Sequence, residues 1–412
     1  MATAYRPARP GERIVLVDVL RGFALLGILF DNVRSFSGYD YAPLGELALL
    51  GTFRLDGIVN GLIEVLVKGK FYRIFAILFG AGCFLQFSRH AGDGSFGAVY
   101  RRRLLVLLAI GVLHSLAWSG DILLMYALAG FVLLGLRRVP LRRQPWVAVA
   151  LVFFFVLTDV AFFLWTAGGH APFARSAGVE TAHVTFPDVA PAAVVEAYRS
   201  NSPWRIFRMN LHHLAWKWLA KIPSGSFTTT AGLFLLGYWL AAKDFFTRRP
   251  GSARLLLGAL AVGAAGTFLA LRADGSMTTF PPDPWNTFRY KVVLGIGQLG
   301  LAFFYMAVVA RLVAAGGSDG WISRRLAPVG RMALSNYLAQ TVACIVVFYG
   351  IGLGLDTRAG LAGAVAVAGA LLAVQVAWSR PWLRRYRFGP AEWAWRSLTY
   401  GRRLENRRAG VS

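Results

Sequence analysis

The sequence predicts an all-α, polytopic integral membrane helix bundle of about ten spans, and three observations predict it. Of the 412 residues, 56% are hydrophobic and mean hydropathy is +0.52, the composition of a chain solvated by lipid. The apolar residues gather in segments near the ~20 residues that cross a bilayer as a helix. Arginines punctuate those segments in short tracts at 101–103, 137–138, 142–143, 248–249, 324–325 and after Arg380. Placing both termini in the cytoplasm sends nearly all of these tracts to the inner face, as the positive-inside rule requires.

The spans read as 14–36, 70–88, 104–119, 121–137, 146–167, 226–246, 254–272, 291–314, 329–351 and 358–379. The third and fourth are short and share the turn Trp118-Ser119-Gly120-Asp121, which predicts a helical hairpin. Between the first two spans, the amphipathic stretch Leu55–Val67 is expected to lie in the membrane interface. The largest outer loop, 168–225, holds a Trp-, Arg- and His-rich piece from Pro203 to Trp218 that predicts an interfacial helix. A third outer loop runs from Ser276 to Asn286. Residues 1–13 form a cytoplasmic N-terminus and 380–412 a basic cytoplasmic tail, so 1–412 reads as a single membrane domain.

The N-terminus is polar, and no small-residue cleavage site follows the first apolar segment, so that span is expected to be retained. Cys83 and Cys344 lie inside apolar runs and read as buried small hydrophobes. A net charge of +24 suits nucleic acid in principle, but its distribution marks topology instead. It predicts anionic lipid headgroups as partners, and no nucleic acid.

Chemistry concentrates in the first four spans. The first carries Asp18, Arg21, Asp31, Asn32 and Arg34, although each ionisable group in hydrocarbon costs at least ~2.5–3.5 kcal/mol. Asp18 and Arg21, one turn apart, can pair. Arg21 and Asn32, three turns apart, share a face. Asn32, Arg34, Arg73, His114 and Asp121 are expected at one outer depth, with Tyr126 deeper. A histidine beside a carboxylate is a candidate general base, and an arginine nearby can hold an anion. Against this, Asp121 reads first as a helix N-cap, and His114 is equally read as a buried, hydrogen-bonded histidine. In the ninth span, Ser335, Asn336, Gln340 and Thr341 read first as interhelical hydrogen-bonding groups and second, with Tyr337, as substrate contacts. Gln298 and Asp159 stand alone in their spans. Gly22, Gly27, Gly80 and Gly82 read as close-packing positions. His212 and His213 are adjacent, hence on different helix faces, and no cluster has metal-ligand spacing.

Asp18-Val-Leu-Arg21-Gly-Phe-Ala-Leu-Leu-Gly-Ile-Leu and Gly69-Lys70-Phe71-Tyr72-Arg73 through Gly82 resemble the YeiB-like family of bacterial inner-membrane proteins (domain of unknown function 418). So do His114 through Tyr126, Gly330 through Tyr337, and the run from Arg387 to Gly401. The resemblance spans essentially the whole chain and implies residence in the bacterial inner membrane. More distantly, that family is similar to membrane acyltransferases of the acyltransferase-3 and heparan-glucosaminide acetyltransferase type. These take an acyl group from cytoplasmic acyl-CoA and pass it to an acceptor at the outer face. Their first span has an arginine followed, after ten residues, by a catalytic histidine. Arg21 matches the arginine, but Asn32 stands at the histidine position, and an amide cannot titrate.

The resemblance therefore implies a transmembrane acyltransferase in which His114, oriented by Asp121, takes the base role and Asn32 or Arg73 polarises the thioester. Asp18, Arg21, Arg34, Arg73, Tyr126, Asn336 and Tyr337 would contact substrate. Arg324, Arg325 and Arg331 would attract the CoA phosphates. Acyl-CoA enters as a co-substrate, no cofactor is expected to bind tightly, and the acceptor is a small molecule, glycan or lipid. The alternative is a transporter or a lipid- or small-molecule-binding protein using the same charged pairs for gating. A scaffold without turnover is the third reading.

Overall fold

The computed structural model describes residues 14–154, 190–221, 225–247, 252–274 and 284–408. Asp159, the second half of the 146–167 span and most of the 276–286 loop lie outside the described residues. Helix α1 occupies Val15–Phe36, close to the predicted first span. A short α2, Leu44–Ala48, and α3, Phe53–Leu62, follow, and α3 runs on into one π-helical turn at Ile63–Val67. Gly69 then takes the left-handed conformation, φ +78°, at little steric cost because it lacks a Cβ. That turn launches α4, Lys70–Arg89.

Helix α5 spans Phe96–Ala117 and begins eight residues before the predicted span, because residues 101–103 are themselves helical. The predicted hairpin turn joins it to α6, Leu123–Leu136, followed by α7, Gln144–Val152. Next come α8, Pro191–Arg199, α9, Pro203–Lys221, α10, Ser226–Ala242, α11, Ala253–Asp274, and the long α12, Pro284–Gly316. The predicted ninth span is broken. α13, Trp321–Arg331, and α14, Ala333–Phe348, meet at Met332 at 77°. Pro328 within α13 supplies no backbone N–H to the last turn. A 3₁₀ turn at Asp356–Ala359, α15, Gly360–Arg385, and α16, Pro390–Tyr400, complete the described chain.

The described residues form no strand, only an isolated bridge between Tyr386 and Arg407. By length and composition, Ala253–Arg272, Arg289–Gly316 and Asp356–Arg385 are able to cross a membrane, as is the bent α13–α14 pair if it counts as one span. The surface fits that solvent. On α3 the side chain turned inward is Asp56, whereas Leu55, Ile58 and Leu62 are exposed, the inverse of a water-facing helix. Asp56 is occupied: it accepts from Thr52 Oγ1 (2.8 Å) and from the Ala362 N–H at the start of α15 (2.8 Å).

Glycines set the closest helix crossings. A Cβ on Gly330 of α13 would meet the Asp18 carbonyl oxygen of α1 at 1.9 Å, and one on Gly80 of α4 would meet the Phe234 carbonyl oxygen of α10 at 1.8 Å. Gly22 and Gly27 are equally confined, by the Leu326 carbonyl and the Phe71 ring. Gly82 differs, since it faces the Arg21 guanidinium. Cys83 and Cys344 are buried and free.

Candidate functional site

Helices α1, α4, α5, α6, α13–α14 and α16 enclose a cavity of about 290 Å³. Its lining has a gradient that three helices repeat. On α1 it runs from Asp18 and Arg21 to Leu25 and Ile28, on α4 from Arg89 to Phe79 and Phe75, and on α5 from Arg103 to Leu107. The fourteen residues from Arg89 to Phe75 place the two ends about 20 Å apart at 1.5 Å per helical residue. One end carries Arg21, Arg89, Arg103, Arg331, Arg387 and Arg396. The other is apolar and aromatic and is closed by Tyr126 and Tyr337.

At the basic end, Arg21 approaches Asp18 at 3.5 Å and donates to the Leu78 carbonyl at 3.4 Å. It lies flat against α4 because Gly82 has no side chain; a Cβ there would sit 2.7 Å from Arg21 Nη2. Trp395 of α16 donates its indole N–H to the Arg103 carbonyl (2.8 Å), and the Arg103 guanidinium stacks on the Trp395 ring at 3.7 Å. This cation–π contact fixes the tail helix beneath the bundle. Glu392, also on α16, accepts from the Leu334 and Ser335 N–H groups at 2.7 and 3.2 Å and from the Ser335 hydroxyl. It thereby caps the helix terminus freed by the break at Met332. Burial pushes the Glu392 carboxyl above the ordinary range, against the downward pull of the Ser335 and Leu334 hydrogen bonds.

Past the aromatic end lies a buried polar triad. His114 is two turns beyond Leu107 on α5, and its ring centroid is 5.0 Å from that of Tyr337. Its Nδ1 is 2.7 Å from Asp121 Oδ1, and its Nε2 is 2.8 Å from Thr341 Oγ1. Asp121 also accepts from Leu123 N–H (3.0 Å), Leu124 N–H (2.8 Å) and Ser115 Oγ (3.2 Å). Both readings of Asp121 therefore hold at once: it caps α6 and it partners His114. Helix α9 braces this corner. Asn210 accepts from Ser119 N–H and donates to the Leu116 and Ala117 carbonyls, and Lys217 donates to the Ser119 and Asp121 carbonyls.

The remaining predicted site residues lie elsewhere. Arg34 pairs with Asp40 (2.7 Å) and Glu64 (2.6 Å), and Arg73 donates to the Gly69 carbonyl (2.8 Å). Neither they nor Asn32 line the cavity. Asn336 joins α14 to α15, donating to Val329 O and Ser379 Oγ and accepting from Gln375. Gln298, expected to stand alone, donates to the Lys68 carbonyl at 3.4 Å and packs on Gly69. Arg324 and Arg325 are exposed and lie outside the cavity lining, which only Arg331 of that trio joins. Sequence reasoning missed Arg89, Arg103, Glu392 and Arg396. The signal for the last two was the conspicuous Arg387–Gly401 run itself. Among the described residues, no group of three His, Cys, Asp or Glu is placed to hold a metal ion.

Among the described residues the architecture is all-helical, with three helices long and apolar enough to cross a membrane and a cavity whose mouth is lined by arginines. The chain belongs to the YeiB-like DUF418 family. The model of that family, described as "Protein of unknown function (DUF418)", matches residues 240–402. The uncharacterized protein YxaH of Bacillus subtilis (strain 168) is 32% identical over 421 residues, 97% of each chain. The uncharacterized protein YeiB of Escherichia coli (strain K12) is 28% identical, over 94% of this chain and 96% of its own. An uncharacterized 39.9 kDa protein from the amylase 3′ region of Bacillus acidopullulyticus is 25% identical over 97% of each. No solved structure matches the chain.

Proposed function

We propose that the protein is a transmembrane acyltransferase that takes its acyl group from an acyl-CoA bound in the cavity. The observation that carries this reading is the cavity's polarity gradient. An acyl-CoA is a polyanionic nucleotide at one end and a slender, largely uncharged thioester arm at the other. Six arginines at the mouth suit the phosphates, since guanidinium groups bind phosphate oxygens bidentately. The aromatic channel suits the arm, and it points the thioester towards Tyr337 and the His114 behind it. Asp121 accepts the Nδ1–H of His114, which leaves the Nε2 lone pair as the base. In this reading the chain crosses a bacterial inner membrane about ten times as one domain, with both termini and the arginine mouth in the cytoplasm. An acceptor hydroxyl, on a glycan, a lipid or a small molecule, arrives from the outer side.

The test is to titrate the detergent-solubilised protein with acetyl-CoA while recording the melting temperature. A ligand present at ~100 times its Kd and binding only the folded state adds about 2.7 kcal/mol of stability. A clear rise is expected, and it should shrink when Arg103 or Arg396 is replaced by glutamine. No rise with millimolar acetyl-CoA sinks the proposal. Proton-gradient-driven uptake of a solute by reconstituted vesicles would establish transport in its place.

A further inference from the structure

The hydroxyl nearest the His114 Nε2 atom belongs to the protein itself, that of Thr341. In the tautomer set by Asp121, Nδ1 carries the ring proton and Nε2 holds the lone pair. That lone pair faces Thr341 Oγ1 at 2.8 Å. Carboxylate, imidazole and hydroxyl thus form a continuous line, Asp121 Oδ1 to Nδ1 (2.7 Å) and Nε2 to Oγ1 (2.8 Å), the arrangement that activates hydroxyl nucleophiles on many unrelated folds. All three groups are buried, and Thr341 comes from a helix more than two hundred residues away in sequence. Thr341 also lies one turn after Tyr337 on the same face of α14, so it sits directly behind the residue that closes the cavity. The Tyr337 hydroxyl is buried beside the Ile122 backbone without a hydrogen bond of ordinary geometry, which leaves its proton for an incoming oxygen.

We propose that Thr341 is the nucleophile of a two-step relay and carries the acyl group as an ester between donor and acceptor. This rests on the acyltransferase reading above. In the first step the Thr341 oxygen bonds to the thioester carbonyl carbon and the carbon–sulfur bond breaks. The hydroxyl proton passes to His114 Nε2 and on to the departing thiolate, and Tyr337 donates to the carbonyl oxygen as negative charge develops there. In the second step an acceptor hydroxyl gives its proton to Nε2 and bonds to the acyl carbon. The Thr341 ester bond breaks, and the proton returns to Thr341. The relay removes a geometric difficulty: donor and acceptor need not occupy the bundle together, because the acyl group waits on α14 between them.

The experiment uses the full-length protein in detergent with acetyl-CoA and no acceptor. Free thiol release is followed in the first turnover, and acid-quenched peptides are then analysed by mass spectrometry. One thiol released per protein, and one acetyl group on Thr341, are expected. Thr341→Val, nearly isosteric, should bind acetyl-CoA with an unchanged rise in melting temperature yet lose the burst by ~10³-fold or more. Thr341→Ser should restore it. Acetyl-CoA binding with the label on His114, or with a full burst in Thr341→Val, overturns the relay and leaves the acyltransferase reading standing. Absence of any acetyl-CoA binding removes both.

Discussion

Two glycines two residues apart on helix α4 look alike in sequence and carry opposite consequences. At Gly80 an added Cβ meets the Phe234 backbone at 1.8 Å, whereas at Gly82 it meets only the end of the Arg21 side chain, at 2.7 Å. Backbone cannot yield without moving a helix, but a guanidinium can swing away. Gly80→Ala is therefore expected to destabilise the fold by a few kcal/mol, read as a lower melting temperature without ligand. Gly82→Ala should leave that temperature unchanged or slightly raised, since alanine favours the helix by ~0.5–1 kcal/mol. Its cost falls on the site: Arg21 loses its seat beside Leu78, and acetyl-CoA affinity should drop about tenfold, the effect of a charged hydrogen bond worth ~1.5 kcal/mol or more. Equal ligand responses in Gly82→Ala and wild type would show that Arg21 does not hold the phosphates.

Elements are fastened to one another by carboxylates with opposite pH signatures. Glu392 locks tail helix α16 to the start of α14, and burial holds its carboxyl above the ordinary range. Such a group binds its proton more tightly folded than unfolded. Its contribution is full below the unfolded value of 4.5 and is lost as pH rises through the raised folded value. Glu46 on α2 behaves in reverse. Hydrogen bonding from Arg199, which also holds Asp356 at 3.0 Å, keeps its carboxyl below the ordinary range. Its contribution is present above 4.5 and is lost as pH falls through the lowered value. Melting curves across this range should show wild type losing more stability than Glu392→Gln as pH rises above 4.5, and more than Glu46→Gln as pH falls below it. Parallel curves for wild type and Glu392→Gln would mean that this carboxylate is not the titrating latch.

At the scale of the whole molecule, what the sequence disclosed was the part governed by local pattern. Helices α1 and α4 fall within a residue or so of their predicted bounds, and the Trp118–Asp121 hairpin formed as expected. The break at Met332 had Pro328 as its one local signal, and the helix start it frees is capped by Glu392, far along the chain. The site divided in the same way. His114 and Asp121, seven residues apart, were legible as a pair, but Thr341 joins them, and the tail arginines join the distant cavity mouth, only through tertiary folding. Direction around a helix was not readable, so the turn of Arg34 and Arg73 to the 64–69 corner, away from the cavity, was hidden. The proposed orientation has its own test, and the two native cysteines make it clean, since both are fully buried and should not react with a membrane-impermeant maleimide. Arg387→Cys, at the cavity mouth, should label in vesicles exposing the cytoplasmic face and stay protected in intact spheroplasts. Glu46→Cys should do the opposite, because crossing a hydrocarbon layer of ~30 Å separates the two ends. If acetyl-CoA also shields Arg387→Cys from the reagent, the arginine mouth and the donor's entry are one place. Labelling of Arg387→Cys from the outer side would invert the bundle and put the cavity beyond the reach of a cytoplasmic thioester.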